Sequence, residues 1–454
     1  MSVEPGLDLL LIDDESSFFH PKYLGKAPAS WEDNFLSRQL TNAMLWGLMT
    51  PKMAVPLLSA HAKAAGHSVE AVYRPLLAWK MARFRRLLRR GPRVVGITTV
   101  AIFDGAYLAR IVGEVRRLSP GSVVVLGGQG AADYPEVRAL GDLYISGHGE
   151  QALADLVSAL KGGAELDRVP GVSSLPGGGR TIAGSLRYEG ITRPLFPDWS
   201  VTSTGCRWYP VEASRGCRYN CAYCIFPGRT AQEFRAPEDV AAEMRHVHET
   251  RGIRKFDFLD SSLTSDTGFV LRLCAAIRRE KLKVKWKCWA RPDAFAREPE
   301  LAAKMAEAGC RRVFLGVESI HENILSKMRR PMSREVIERG LGRVFGSGIR
   351  VNGLFVIGFP GETEATVAET TQFIRERPFT DVYLGVFCMS REMRDLAAAE
   401  PERYLHLAGE PTKGWRHDGM DYKTACALTA RMTDSINRGR FLRVATTVED
   451  VLRV

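Results

Sequence analysis

Short apolar runs alternate with helical patterns along most of this chain, and few folds accept that order. Leu7–Asp13, Ser68–Tyr73, Arg93–Thr99, Ser122–Leu126 and Asp142–Ile145 read as short buried strands. Pro51–Ala65, Gly105–Leu118 and Glu150–Lys161 read as helices among them. Continuous apolar runs are what strands covered on both faces require, and such strands are parallel. Residues 1–165 therefore read as an α/β, doubly wound, Rossmann-like domain. Gly and Pro then dominate residues 166–205, with PGGGR and FPDW, which read as a linker. Beyond it the expected strands are Pro210–Ala213, Lys255–Asp260, Lys283–Trp289, Arg312–Val317, Arg350–Ile357 and Asp381–Phe387. Helical stretches between them include Pro237–Thr250, Glu300–Ala308 and Glu362–Arg377. Six βα units make a partial (β/α)6, TIM-like barrel over residues 206–390, open rather than eightfold. Residues 391–454 read as a small, mainly helical region.

Composition narrows the class. Hydrophobic residues at 45% and charged residues at 25% exclude a disordered chain. The apolar runs are too short to span a membrane, and no basic leader precedes LDLLLI, so the expected location is the cytoplasm. Nine cysteines without a leader argue for metal-binding or packed thiols rather than disulfides. The net charge of +11 fits an anionic substrate, a membrane surface or nucleic acid, and equally an Arg-rich proteome; a nucleic-acid partner is not expected.

One cysteine group is tightly spaced. SRGCRYNCAYC places Cys217, Cys221 and Cys224 in a CxxxCxxC loop after the first barrel strand. Three thiolates in eight residues can wrap one face of a 4Fe-4S cluster and leave one iron open. Structural zinc is the rival, but it wants four ligands, and Cys206 and His246 form no second pair. The remaining cysteines (Cys206, Cys274, Cys288, Cys310, Cys388 and Cys426) are isolated and read mostly as packed thiols.

With Tyr223 before the last cysteine, this loop resembles that of the radical S-adenosylmethionine (SAM) superfamily. The resemblance continues in FDFLDSS, WKCWARPD, FLGVES and VNGLFVIGFPGET. It implies that the open iron binds the amino and carboxylate groups of SAM, which an electron then cleaves to methionine and a 5′-deoxyadenosyl radical. It assigns Tyr223, Asp260, Ser261, Ser262, Arg291, Glu318 and Ser319 to SAM: the first serines and acid to the ammonium, Arg291 to the carboxylate, Glu318 or Ser319 to carboxylate or ribose. Taken singly, Arg291 and Glu318 could equally be solvated strand-end charges. Phe258, Trp286 and Trp289 read as core.

In the first domain VVLGGQGAADYP and ISGHGEQALADL resemble the cobalamin-binding domain that precedes the barrel in one large class of the superfamily. Gly127 and Gly128 would let a bulky ring and its nucleotide tail approach the backbone, with Thr98 and Thr99 offering hydroxyls. A plain helix-start turn without ligand is the alternative. The DxHxxG motif is absent and His20 does not fit it, so cobalt is expected without a protein histidine. His148, in GHGE, reads as a surface helix-start residue. In KMARFRRLLRRGPR, Met81, Phe84, Leu87 and Leu88 share one face amid basic residues, as in a covering helix or a membrane-surface helix.

The resemblance as a whole implies a cobalamin-dependent radical SAM methyltransferase. A methyl group passes from SAM through methylcobalamin to an unactivated carbon, or less commonly phosphorus, after hydrogen abstraction by the 5′-deoxyadenosyl radical. The implied partners are a small-molecule substrate, anionic or lipid-like, and an electron donor such as flavodoxin or ferredoxin. The rivals are a cyclase, ring-contracting or oxidative radical enzyme, or a non-catalytic iron–sulfur or zinc protein.

Overall fold

The computed structural model describes residues 6–13, 53–174, 195–201, 208–224, 232–410, 414–437 and 443–445, with short breaks at 77, 100–104, 129–130, 132–134, 165 and 167–168. His20, Cys206 and residues 175–194 lie outside the described residues. The chain forms two compact units, residues 1–206 and 207–454.

The first unit begins β1 (Leu9–Asp13), α1 (Ala54–Ala64), β2 (Val69–Tyr73), α2 (Ala78–Arg89), β3 (Val94–Thr98) and α3 (Gly105–Leu118). It continues through β4 (Val123–Gly127), β5 (Leu143–Ile145), α4 (Gly149–Gly162) and β6 (Val172–Ser174). The sheet order is β2-β1-β3-β4-β5-β6, the flavodoxin-like order with one added antiparallel edge strand. Successive residues of β1 enter opposite cores, which is why the strand reads as an unbroken apolar run. Leu10 and Ile12 pack with Phe84, Leu88 and Ile111, while Leu9 and Leu11 pack with Val55, Leu153 and Leu156.

That packing settles the basic helix. Phe84, Leu87 and Leu88 are buried and Met81 lies against them, so the apolar face of α2 is spent on the core. Its arginines pair outward, Arg83 with Glu70 and Arg85 with Glu114. A covering helix is what the structure shows among the described residues. Among the described residues no helix is long and apolar enough to cross one. Two described stretches of the expected linker join the first unit: residues 172–174 form β6, and Asp198 accepts from Ser59 at 2.7 Å and pairs with Lys63 at 2.6 Å.

In the second unit β7 (Tyr209–Val211) is followed by a short antiparallel pair, β8 (Ser214–Arg215) and β9 (Glu233–Phe234). Then come α5 (Pro237–Arg251), β10 (Lys255–Phe258), α6 (Thr267–Arg279), β11 (Lys285–Ala290), α7 (Pro292–Arg297), α8 (Leu301–Glu307) and β12 (Cys310–Glu318). After them run α9 (Glu322–Lys327), α10 (Arg334–Gly346), β13 (Arg350–Ile357), α11 (Glu364–Arg375) and β14 (Asp381–Val386). The C-terminal region holds helices α12 (Arg391–Ala399) and α13 (Tyr422–Asn437). It adds a three-stranded antiparallel sheet of β15 (Ala408–Glu410), β16 (Gly414–His417) and β17 (Met420–Asp421), then β18 (Arg443–Ala445). The large sheet runs β18-β14-β13-β12-β11-β10-β7, all parallel. The six expected strands are adjacent and in order, and β18 extends them by one.

Alternate residues of β11 separate two environments. Trp286 and Cys288 are fully buried, as is Phe258 on β10. Trp289 points to the opposite face, 41% exposed and stacked on Phe314 with centroids 4.8 Å apart, so its expected core placement is corrected. On the same face Lys287 pairs with Asp257 at 3.1 Å, and Arg312 pairs with Asp381 at 2.9 Å.

Candidate functional site

The loop carrying Cys217, Cys221 and Cys224 is fixed at its base before any ligand is considered. The Asp260 carboxylate, just beyond β10, accepts from the Ala213 N–H at 3.1 Å and the Ser214 hydroxyl at 2.5 Å. Gln232 closes the other end of the loop, donating to the Ser214 hydroxyl at 2.9 Å and accepting from the Ser265 hydroxyl at 2.7 Å. Burial pushes the Asp260 carboxyl up to about 6, against the hydrogen bonds from Ser214 and Ala213. Both Asp260 oxygens are thus engaged with the loop's base. Gly216, directly before Cys217, turns the chain at φ +80°, a conformation that favours glycine.

The far side of the loop is held by the segment after α9. The Ala222 N–H donates to the Met328 carbonyl at 3.0 Å. The Arg330 guanidinium spans two elements: Nη2 donates to the Gly316 carbonyl at 2.6 Å and Nη1 to the Cys221 sulfur at 3.7 Å. Cys221 is buried, Cys217 half-buried and Cys224 exposed, all on the one loop after β8. Among the described residues no three His, Cys, Asp or Glu side chains group as a single metal ion would need. Three thiols without a fourth suit a cluster, in which each thiolate meets a different iron. The zinc rival gains nothing, because His246 is exposed on α5.

Around this loop the structure gathers several of the expected residues. Tyr223 hydrogen-bonds Glu318; burial, with Glu318 and Cys221 adding to it, pushes the phenol well above its usual range despite Arg330. Burial likewise raises the Glu318 carboxyl, opposed by Arg330, Tyr223 and Arg291. Glu318 closes β12 at φ +66°, where the register with β13 shifts. A non-glycine residue held there is strained, and such strain concentrates at ligand sites. Its carboxylate folds over Gly316, where an added Cβ would stand 2.6 Å from Oε1.

Arg291 is buried and stacks on Tyr219, its guanidinium carbon 3.9 Å from the ring centroid. Its Nε donates to Asp293 at 2.9 Å, while the buried Nη1 has no partner among the described residues. The Ser262 hydroxyl is in the same state, and Ser261 is exposed. Ser319 is buried and accepts from the His321 N–H at 3.2 Å. Arg330 is the participant that sequence reasoning missed. Nothing in KMRRPMS distinguishes it from its neighbour Arg329 except the turn that buries it.

In the first unit Thr98, Thr99, Gly127 and Gly128 meet at the C-terminal ends of β3 and β4, where Thr98 pairs in register with Gly127. Thr99 is consumed locally: its hydroxyl donates to the Gly127 carbonyl at 2.9 Å and accepts from the Ala131 N–H at 2.9 Å. The buried Thr98 hydroxyl has no partner among the described residues. Gly128 adopts φ +102°, and a Cβ on Gly127 would meet only the Ile145 carbonyl at 3.7 Å. Among the described residues this edge offers one buried hydroxyl, that of Thr98, that could meet a ligand. His148 caps the start of α4 without a side-chain bond to the helix, consistent with a helix-start residue.

The profile of the radical SAM superfamily matches residues 211–374. The chain carries a radical SAM domain. The match begins at the end of β7 and closes within α11, so the cysteine loop, Asp260, Arg291, Glu318 and Arg330 all fall inside it. An uncharacterized methyltransferase of Pyrococcus horikoshii is 28% identical over 300 residues, 63% of this chain and 64% of that protein. The radical SAM methyltransferase TsrM from Kitasatospora setae, solved with cobalamin and a 4Fe-4S cluster bound, shares the fold. It superposes with a TM-score of 0.67 at 20% identity, over 87% of this chain and 78% of its own. The cobalamin-dependent SAM radical enzyme OxsB with aqua-cobalamin bound superposes at 0.63 with 18% identity, over 93% of this chain and 58% of its own.

Proposed function

We propose that this radical SAM enzyme is a cobalamin-dependent methyltransferase that places a methyl group from SAM on an unactivated carbon of a small molecule. The observation that carries the reading is the contact between the cysteine loop and Arg291: Tyr219, between Cys217 and Cys221, stacks on a buried guanidinium whose Nη1 has no partner among the described residues. When bound, the cluster supplies the electron that cleaves SAM, and cobalamin carries the methyl group. Cys217, Cys221 and Cys224 hold the cluster and Asp260 fixes the base of their loop. Arg291 holds the methionyl carboxylate through Nη1, oriented by Asp293 and by the Tyr219 ring. Ser262 receives the ammonium, and Tyr223 and Glu318 border the ribose end. In the first unit Thr98, Gly127 and Gly128 receive the cobalamin tail. A flavodoxin or ferredoxin serves as reductant.

The test is product analysis of the anaerobically reconstituted enzyme with SAM, cobalamin and reductant. S-adenosylhomocysteine should form only with cobalamin, and 5′-deoxyadenosine only with the cluster. Formation of 5′-deoxyadenosine without any S-adenosylhomocysteine would assign the enzyme to radical chemistry without methyl transfer.

Arg291→Ala tests the placement of SAM. Losing a charged hydrogen bond worth about 1.5–3 kcal/mol should weaken SAM binding about 10- to 100-fold. Cluster and cobalamin content should stay as in the wild type, while both products fall together. Unchanged SAM affinity would leave Arg291 a structural partner of Asp293 and Tyr219 alone.

A further inference from the structure

We propose that Arg330 sets the reduction potential of the cluster, by donating a hydrogen bond to the Cys221 thiolate and placing a full positive charge beside it. This rests on the reading of the three cysteines as the cluster's ligands. The geometry begins at the end of α9. Arg329 adopts φ +56° and its N–H donates to the Ser326 carbonyl at 3.0 Å. The Arg330 N–H then returns to the Leu325 carbonyl at 2.8 Å. This left-handed turn sends two successive arginines in opposite directions: Arg329 reaches Glu400 at 3.2 Å, and Arg330 runs inward to 5% exposure.

A buried guanidinium is costly unless anions answer it. Among the described residues the Cys221 sulfur is the one side-chain acceptor within hydrogen-bond distance of Arg330. Among the described residues no carboxylate lies within ion-pair distance of Arg330 in the way Asp293 holds Arg291 or Glu243 holds Arg235, whose pairs close at 2.9 and 2.5 Å. Reduction adds one negative charge to the cluster. A fixed cation and an N–H···S bond both favour that state and so raise the potential. Arg330 is accordingly a positioning residue for the electron-accepting step.

Two substitutions separate this from a mere strut between Gly316 and the loop. In the reconstituted full chain, Arg330→Gln should make one-electron reduction at least about tenfold less favourable, a shift of about 59 mV to lower potential. Arg330→Lys, which keeps the charge without the fork, should fall between Gln and wild type. An unchanged midpoint in Arg330→Gln, whatever its iron content, would overturn the proposal. Should neither variant load, the wild-type site still decides. Pulsed paramagnetic resonance of the reduced cluster with 15N-arginine, in an Arg291→Ala background, should show a coupled arginine nitrogen; its absence counts equally against the proposal. If the wild-type chain takes up no four-iron cluster at all, it is the reading of the cysteines that fails, before Arg330 is tested.

Discussion

Replacing Cys217, Cys221 and Cys224 together with Ala is expected to leave a folded chain that takes up no iron–sulfur cluster. Wild-type protein reconstituted without oxygen should hold about four irons and four sulfides per chain. The variant should fall to background, and 5′-deoxyadenosine formation should vanish with it. The remaining described thiols cannot substitute. Cys274, Cys288 and Cys310 are buried between α6, β11 and β12. Burial pushes the Cys274 thiol up to about 12, and a hydrogen bond with Cys310, together with burial, holds Cys288 well above its usual value. Thiols kept protonated at neutral pH are poor ligands, because the thiolate is the binding form. Cys388 lies just after β14 and Cys426 on α13, a pair rather than a trio on one loop. Folding should survive, since Cys217 and Cys224 are not buried and the loop's base is held by Asp260 and Gln232. Full cluster content in a triple variant with wild-type circular dichroism would refute the assignment.

The fold could be read from the sequence because parallel strands covered on both faces leave a strong trace. Leu9, Leu10, Leu11 and Ile12 are all buried, and no other sheet environment demands that run. The cysteine loop was legible for a different reason: its three ligands are local in sequence. What escaped reading depends on partners far along the chain. β18 joins β14 across more than 50 residues, and β6 completes the first sheet from within a Gly- and Pro-rich stretch. Trp289 belongs to a run whose alternation was masked by aromatic residues on both faces, so its side could not be assigned. Arg330 was hidden most deeply, for its burial follows from one left-handed residue and its contacts lie 14 and 109 residues away.

The same glycine turn that the sequence singled out, GFPGET, should give the second unit a distinct pH dependence. Glu362 is 1% exposed, and its carboxylate accepts from the Gly358 N–H at the end of β13. Among the described residues no cation offsets its burial, and the carboxyl is pushed up to about 8. The nearby His417 accepts from the Gly419 N–H and contacts the Gly358 carbonyl through Nε2. Burial lowers its affinity for protons, so it supplies no charge either. The folded chain therefore retains the Glu362 proton over a range in which the unfolded chain, with an ordinary value near 4.5, has released it. Stability from this group is complete below that value and is lost as pH rises toward 8, at about 1.4 kcal/mol per unit. Glu362→Gln keeps an acceptor for Gly358 and has no proton to lose. At pH 5 the variant should match the wild type closely. At pH 8.5 it should be more stable by about 4 kcal/mol, read as a higher urea midpoint under reducing conditions. Urea midpoints that run parallel from pH 5 to 8.5 would mean that Glu362 ionises in place, with a cation or water reaching it through the β15–β17 sheet.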